Sequence, residues 1–348
     1  MTDLATFKPK RILVCQLRQI GDVLLTTPSI RLLHERYPDA AIDIFTEKKC
    51  TPVLENNPHV RKIWALNKKE LPTFLAELKF YARIAAENYD LVVDFQQLPR
   101  CRFVTLMSRA RVRLSYPPPW YNRLLYTHWA KPVPAYSAGY RASILAPLGI
   151  TWRNQAPEIF LTADETAWAR EYLAGFGLAP GRYVTLDPTH RRSTRLWPAR
   201  HYGAMIGQIH AARPDLRFFI LYGPGEADMA REVLDHCPAR EACVFPDGVI
   251  GLRQMAAVQS LARLHVGNCS GPRHFAVAVN TPTLTILGAT SGGWRFPSDQ
   301  HQDIFEDLPC RPCNQNTCAR NDHACLENLP PRRVADRVLE ILGNQDSR

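Results

Sequence analysis

Three short stretches hold residue types that can do chemistry. The first, QLRQIGD at residues 16–22, closes an apolar run and opens a helical pattern. Gly21 suits a tight turn there, and Asp22 falls at the predicted helix entrance, where a carboxylate either caps the helix or serves as a general base. The second, THRRSTRLWP at residues 189–198, brings three arginines and three hydroxyls together just before a predicted helix. Guanidinium forks and hydroxyls suit phosphate oxygens, although a solvated basic loop has the same composition. The third, CSGPRHFAVAVN at residues 269–280, sets Ser270 and Gly271 at a predicted helix start, where free backbone N–H groups attract anions. A fourth, weaker signal is YGPGEAD at residues 222–228, in which Glu226 either accepts ribose hydroxyls or caps the next helix.

The elements that must position these residues are read from apolar periodicity. From Arg11 onward, strand-length runs such as ILVCQL, AIDIFTE, VRKIWAL and LVVDFQ alternate with amphipathic stretches, the pattern of a doubly wound parallel sheet. A second series, RYVTLDP, LRFFILYGP, ACVFP, LHVGN and TLTILGAT, repeats it. The expected architecture is α/β, with two facing Rossmann-like domains and an interdomain cleft at the carboxyl ends of their strands. The expected boundaries are 1–155 for an acceptor-binding domain and 156–348 for a nucleotide-sugar-binding domain that includes the cysteine-rich segment 310–325. Between Pro99 and Gly149 the periodicity loosens into YPPPWYNRLLYTHWAKPVPAY, a surface excursion of the length that often carries function.

Composition narrows the classes. The 348 residues, 46% hydrophobic and 22% charged, are globular rather than disordered and long enough for two cores. No apolar run approaches the roughly 20 residues of a membrane span, and the N-terminus lacks the hydrophobic stretch of a secretory signal, so a cytoplasmic location is expected. The formal net charge of +10 favours an anionic partner: nucleic acid, an anionic membrane surface or an acidic glycan. Nucleic acid is not expected, because binding through basic loops would leave the paired α/β pattern unused. No G-x-G-x-x-G follows the first strand and no P-loop occurs, so the fingerprints of dinucleotide enzymes and P-loop hydrolases are absent.

Taken together, RILVCQLRQIGDVLLTTPSIRLLHERYP, TRLWPARHY, LYGPGEAD and VGNCSGPRHFAVAVNTPTLTILGAT resemble glycosyltransferase family 9, the bacterial heptosyltransferases of the lipopolysaccharide core, in order and spacing over nearly the whole chain. The resemblance implies a GT-B fold and inverting transfer of heptose or a related sugar from an ADP-sugar donor to a lipid-linked acidic glycan, with no cofactor required for catalysis. It implies Asp22 as catalytic base and Arg195 on the donor diphosphate, with Thr189 or Ser193 as hydroxyl ligands. Ser270, Gly271 and His274 match the family's aspartate, serine or threonine, glycine, any two, histidine motif, and Glu226 is kept as a donor contact. Cys269 stands where that motif has an aspartate contacting the donor sugar. A thiol lacks the carboxylate's acceptor capacity, so a catalytically impaired nucleotide-sugar or glycan-binding relative is the alternative reading.

Arg18, Arg123 and Lys131 are the basic residues expected to meet an acidic acceptor, and the same charge implies peripheral contact with an anionic inner membrane. Cys310, Cys313, Cys318 and Cys325 read C-x2-C-x4-C-x6-C, which fits a structural zinc or iron–sulfur site or a set of unligated thiols. The other six cysteines are scattered, and Cys15, Cys101 and Cys237 fall in or beside apolar segments, where a thiol acts as a small hydrophobe.

Overall fold

The β-branched and aromatic runs do become strands. In the computed structural model, which describes residues 3–346, the chain divides into two units, Met1–Phe160 and Leu161–Arg348. The first unit holds β1 (Arg11–Cys15), β2 (Ala41–Glu47), β3 (Lys62–Leu66), β4 (Leu91–Asp94), β5 (Val112–Ser115) and β6 (His128–Trp129), with helices α1 (Ile20–Leu24), α2 (Thr27–Arg36), α3 (Phe74–Ala85), α4 (Pro99–Ser108) and α5 (Ser137–Ala142). The second holds β7 (Tyr183–Asp187), β8 (Arg217–Ile220), β9 (Cys243–Val244), β10 (Leu264–Asn268), β11 (Thr283–Ile286) and β12 (His301–Ile304). Its helices are α6 (Ala163–Ala174), α7 (Ala199–Ala212), α8 (Ala227–Asp235), α9 (Leu252–Ser260), α10 (Gly271–Ala278), α11 (Ala324–Glu327) and α12 (Pro331–Asp346).

Every strand pair is parallel, and the sheet orders are β3-β2-β1-β4-β5-β6 and β12-β11-β10-β7-β8-β9. Counting strands within each unit, the two orders are the same, so each unit is a Rossmann-like sheet whose order reverses between its first and fourth strands. Ligands of such sheets gather at the carboxyl ends of those two strands, here β1 with β4 and β7 with β10. The central strands are buried along their length, as helices on both faces require: β4, β7 and β10 have no exposed residue. Close packing at the second switch point depends on Gly267 of β10, where an added Cβ would come within 2.8 Å of the Asp187 Cβ. Among the described residues no helix is long and apolar enough to cross a membrane.

Candidate functional site

At the end of β1 the chain turns directly into α1. Asp22 is the third residue of that helix, not its cap: Gln19 is the N-cap, and Asp22 Oδ2 accepts from the Gln19 backbone N–H at 3.0 Å to close a capping box. Gly21 lies inside α1 without a positive φ, so the turn does not draw on glycine's extra freedom. The other Asp22 oxygen accepts from Arg141 Nη2 of α5 at 2.5 Å. Arg141 is itself braced on the Ser137 carbonyl (2.9 Å) and hydroxyl (2.6 Å). The carboxylate is thus oriented on both sides and stays partly open, at 28% side-chain exposure. A carboxylate has about four lone-pair sites, so two such bonds leave room to accept a hydroxyl proton.

Arg18 is exposed in the turn before α1, one residue from its cap. Arg123 and Lys131 are exposed on the excursion between β5 and α5, and among the described residues neither shares an ion pair or hydrogen bond with Asp22. Beneath the excursion, Asp94 at the end of β4 is fully buried and accepts from Tyr126 Oη at 2.7 Å and from the Gln96 and Gln97 amides at 2.9 and 2.8 Å. Burial pushes its carboxyl above the ordinary value, and those hydrogen bonds offset only part of the rise.

The second unit gathers the donor candidates at its switch point. Trp197 is fully buried; its backbone N–H donates to Asn268 Oδ1 (3.1 Å) and its indole N–H to the Leu329 carbonyl (3.3 Å). These bonds anchor the loop after β7 to the end of β10. Its other side is fixed by Thr194, whose carbonyl accepts from Ala289 N at 2.9 Å and whose hydroxyl donates to the Gln315 carbonyl at 2.9 Å. An added Cβ at Gly288 would sit 2.3 Å from the Thr194 carbonyl, so glycine is required for that approach. Between these anchors lies Arg195, partly buried, with its Nε buried and unbonded. Burial pulls its guanidinium below the ordinary value, and Cys269 lies within electrostatic reach.

Ser270 is the N-cap of α10, but its hydroxyl donates to Asp187 rather than to its own helix. Thr189 Oγ1 lies 2.8 Å from Glu226 Oε2 and 3.4 Å from Asp187 Oδ1, so its single proton goes to Glu226. Glu226 also accepts from Gly223 N at 3.1 Å and occupies the N-cap position of α8 without bonding that helix. Asp187, buried and close to Glu226, has its carboxyl pushed up to about 7, first by burial and then by the Glu226 charge, against bonds from the Ser270 hydroxyl and the Thr189 backbone N–H. Cys269 is buried, and Arg273 Nη1 approaches its sulfur at 3.6 Å. Arg273 pairs with Asp303 of β12 at 3.0 Å, both side chains buried. His274 is buried with its ring 5.9 Å from Trp294.

The structure therefore brings Thr189, Glu226, Ser270 and Asp187 into one hydrogen-bonded set, with Arg195, Cys269 and Gly271 on the same two loops. Ser193 is not in that set: its hydroxyl faces His323 Nε2 at 3.1 Å, toward the cysteine-rich segment. Asp187 and Arg141 escaped the sequence reading. Asp187 closes the strand RYVTLD just before the phosphate-suited loop, which was the available signal; nothing local marks Arg141.

Cys310, Cys313, Cys318 and Cys325 line one pocket with Thr194, Arg311 and His323. Backbone N–H groups of His323, Arg320 and Asn321 hold the Cys318 thiol below its ordinary value. Among the described residues, however, no three or more His, Cys, Asp or Glu side chains converge as a metal site would require. The four thiols share one wall, and Cys310, Cys313 and Cys318 all lie within electrostatic reach of Cys325.

Comparison with known proteins agrees with this geometry. The profile of Glycosyltransferase family 9 (heptosyltransferase) matches residues 78–323. Lipopolysaccharide heptosyltransferase 3 of Escherichia coli is 28% identical over 286 residues, covering 78% of this chain and 81% of that protein. A glycosyl transferase family 9 structure from Veillonella parvula DSM 2008 has a TM-score of 0.81 at 19% identity, covering 99% of each chain. Escherichia coli heptosyltransferase WaaC, solved with ADP-2-deoxy-2-fluoro heptose, has a TM-score of 0.71 at 19% identity over 95% of this chain and 99% of that one. At these identities the structural likeness speaks for the fold, whereas the profile match spans most of the sequence. The chain belongs to glycosyltransferase family 9, the heptosyltransferase family.

Proposed function

We propose that this glycosyltransferase moves heptose, with inversion, from ADP-heptose to a lipopolysaccharide-core or similar acidic, lipid-linked acceptor. The observation that carries the reading is Arg195, a partly buried guanidinium with an unbonded Nε, held on a loop beside the N-terminus of α10. Burying a cation without a partner is unfavourable unless a ligand supplies the anion, and a diphosphate does so. The free N–H groups at the start of α10 add donors to the same anion. Glu226 and Thr189, bonded to each other without a ligand, are proposed to exchange that bond for donor hydroxyls.

In the proposed reaction an acceptor hydroxyl attacks the anomeric carbon as its proton passes to Asp22. The bond from that carbon to the diphosphate oxygen breaks, and ADP leaves with the electron pair. Arg195 and the α10 amides hold the charge that develops on the leaving diphosphate, the electrostatic part of the rate enhancement. Arg141 orients the base. Arg18, Arg123 and Lys131 are proposed to meet acceptor anions. The cysteine-rich segment is given a buttressing role, through the bonds from Gln315 and His323 to Thr194 and Ser193, and no step runs through a metal there.

Cys269 favours a second reading. Its thiol contacts Arg273 where a carboxylate would otherwise accept sugar hydroxyls, and a catalytically impaired binding relative has the same donor pocket. Thermal shift with ADP and ADP-heptose, followed by a transfer assay on heptose-deficient lipopolysaccharide, separates the readings. ADP-dependent stabilisation with transfer supports the enzyme, stabilisation without transfer supports the binding relative, and no stabilisation by either ligand overturns both.

A further inference from the structure

The two most exposed large apolar side chains among the described residues of the first unit, Leu124 and Trp120, stand on or beside one short turn. Leu124 is 96% exposed, Trp120 82%, Leu106 65% and Tyr121 61%. Trp120 and Tyr121 form a single helical turn with Asn122, and Leu124 follows it. Asn122, with its amide oxygen turned toward α4, accepts from Arg102 Nη1 and Nε at 3.1 and 3.2 Å. Leu106 lies four residues beyond Arg102 on α4, the helix to which the turn is tied. The turn is held in this pose from beneath. Tyr126 is buried with its hydroxyl on Asp94, and Arg113 donates to the carbonyls of Leu125 (2.6 Å) and Ala110 (2.8 Å).

Charge around the patch has one sign. From residue 95 to residue 157 the chain has no Asp or Glu and nine Arg or Lys, so nothing acidic in this segment offsets them. Some of these cations are engaged inward: Arg100 pairs with Glu77, Arg141 pairs with Asp22, and Arg113 holds carbonyls. Arg123 and Lys131 are exposed, and among the described residues neither forms an ion pair. Tryptophan, tyrosine and leucine beside unpaired basic residues match a bilayer interface, where rings sit at headgroup depth and cations meet lipid phosphates. Side chains this exposed have almost no protein around them. A protein partner would have to supply a matching hole for each, whereas hydrocarbon needs none.

We propose that this patch is an interfacial anchor, with Trp120, Tyr121 and Leu124 inserting into an anionic lipid surface, which brings Arg123 and Lys131 to the headgroup plane where the anionic groups of a lipid-linked acceptor lie. The anchor extends the proposed lipid-linked acceptor, since it would hold the enzyme at the plane where such an acceptor lies. Vesicle binding is nonetheless measurable whether or not heptose is transferred.

The test is sedimentation of the full chain with vesicles of phosphatidylethanolamine and phosphatidylglycerol, and with phosphatidylcholine alone. Binding is expected on the anionic vesicles, weakened but not abolished by high salt, because the inserted apolar part is not screened. The double variant Trp120→Ser/Leu124→Ser is expected to lose about tenfold or more in partition, with an unchanged melting temperature because both residues are exposed. No binding to anionic vesicles, or binding that the double variant leaves intact, overturns the proposal. So does a dimer that the variant disperses in the absence of vesicle binding, which would assign the patch to a second copy of the chain. ADP affinity on the same samples tests the donor reading separately.

Discussion

Asp187→Asn isolates the electrostatic strain at the donor switch point. The carboxyl is buried, receives the Ser270 hydroxyl and lies near Glu226, and its value rises from 3.8 to about 7. That displacement corresponds to about 4 kcal/mol between protonation states. The sign follows from which state holds the proton. Between about pH 4 and pH 7 the folded chain keeps the Asp187 proton while the unfolded chain has lost it, so this group's contribution is full below that window and is lost as pH rises through it. Buried His265 and His301, held at about 3 and about 4 by burial, act in the opposite direction, because the unfolded chain takes up protons first as pH falls. The difference between wild type and Asp187→Asn cancels the histidines. Asparagine keeps an oxygen for Ser270 and cannot ionise. Urea unfolding at about pH 5 and about pH 8 is expected to show the variant gaining about 3 kcal/mol relative to wild type over that interval. A difference that does not change with pH would refute the assignment of a raised carboxyl to Asp187.

Three further outcomes follow from the same geometry. Asp22→Asn is expected to lower turnover at least about a hundredfold, and to cost about 1–2 kcal/mol of stability because Arg141 loses its ionic partner; near wild-type turnover would reduce Asp22 to a helix-capping residue. Arg195→Ala is expected to weaken ADP binding about tenfold or more with little change in melting temperature, since its buried Nε makes no hydrogen bond among the described residues; calorimetry showing unchanged ADP affinity would remove it from the site. Thr194→Val strips the donor from the Gln315 carbonyl and is expected to cost about 1–3 kcal/mol and to loosen ADP binding; intact affinity would show that the cysteine-rich segment does not hold the loop.

Much of the fold is legible along the chain because its causes are local. Alternating strand-length and helical apolar runs follow from side-chain direction in each element, and their repetition in two halves is enough to expect two doubly wound sheets. The loops that follow β1, β7 and β10 are recognisable for the same reason: arginine, serine and glycine at a strand-to-helix junction have a meaning before any contact is known. The division at Phe160 and Leu161 comes from packing in space, which no composition shift marks.

What the sequence by itself determined is which elements form, where the strands end and which residue types stand at those ends. Partnership was decided only by the tertiary structure. Asp22 meets Arg141 across 119 residues, Ser270 turns from its own helix to Asp187 across 83, and Thr194 is held by Gln315 across 121. The four cysteines clustered at 310–325 come to line one pocket together with Thr194 of the loop after β7. Periodicity is set by each residue's own backbone geometry, whereas a hydrogen bond or ion pair depends on two side chains brought within a few ångström by sheet order and helix packing. That order is a property of the whole sheet rather than of any segment in it.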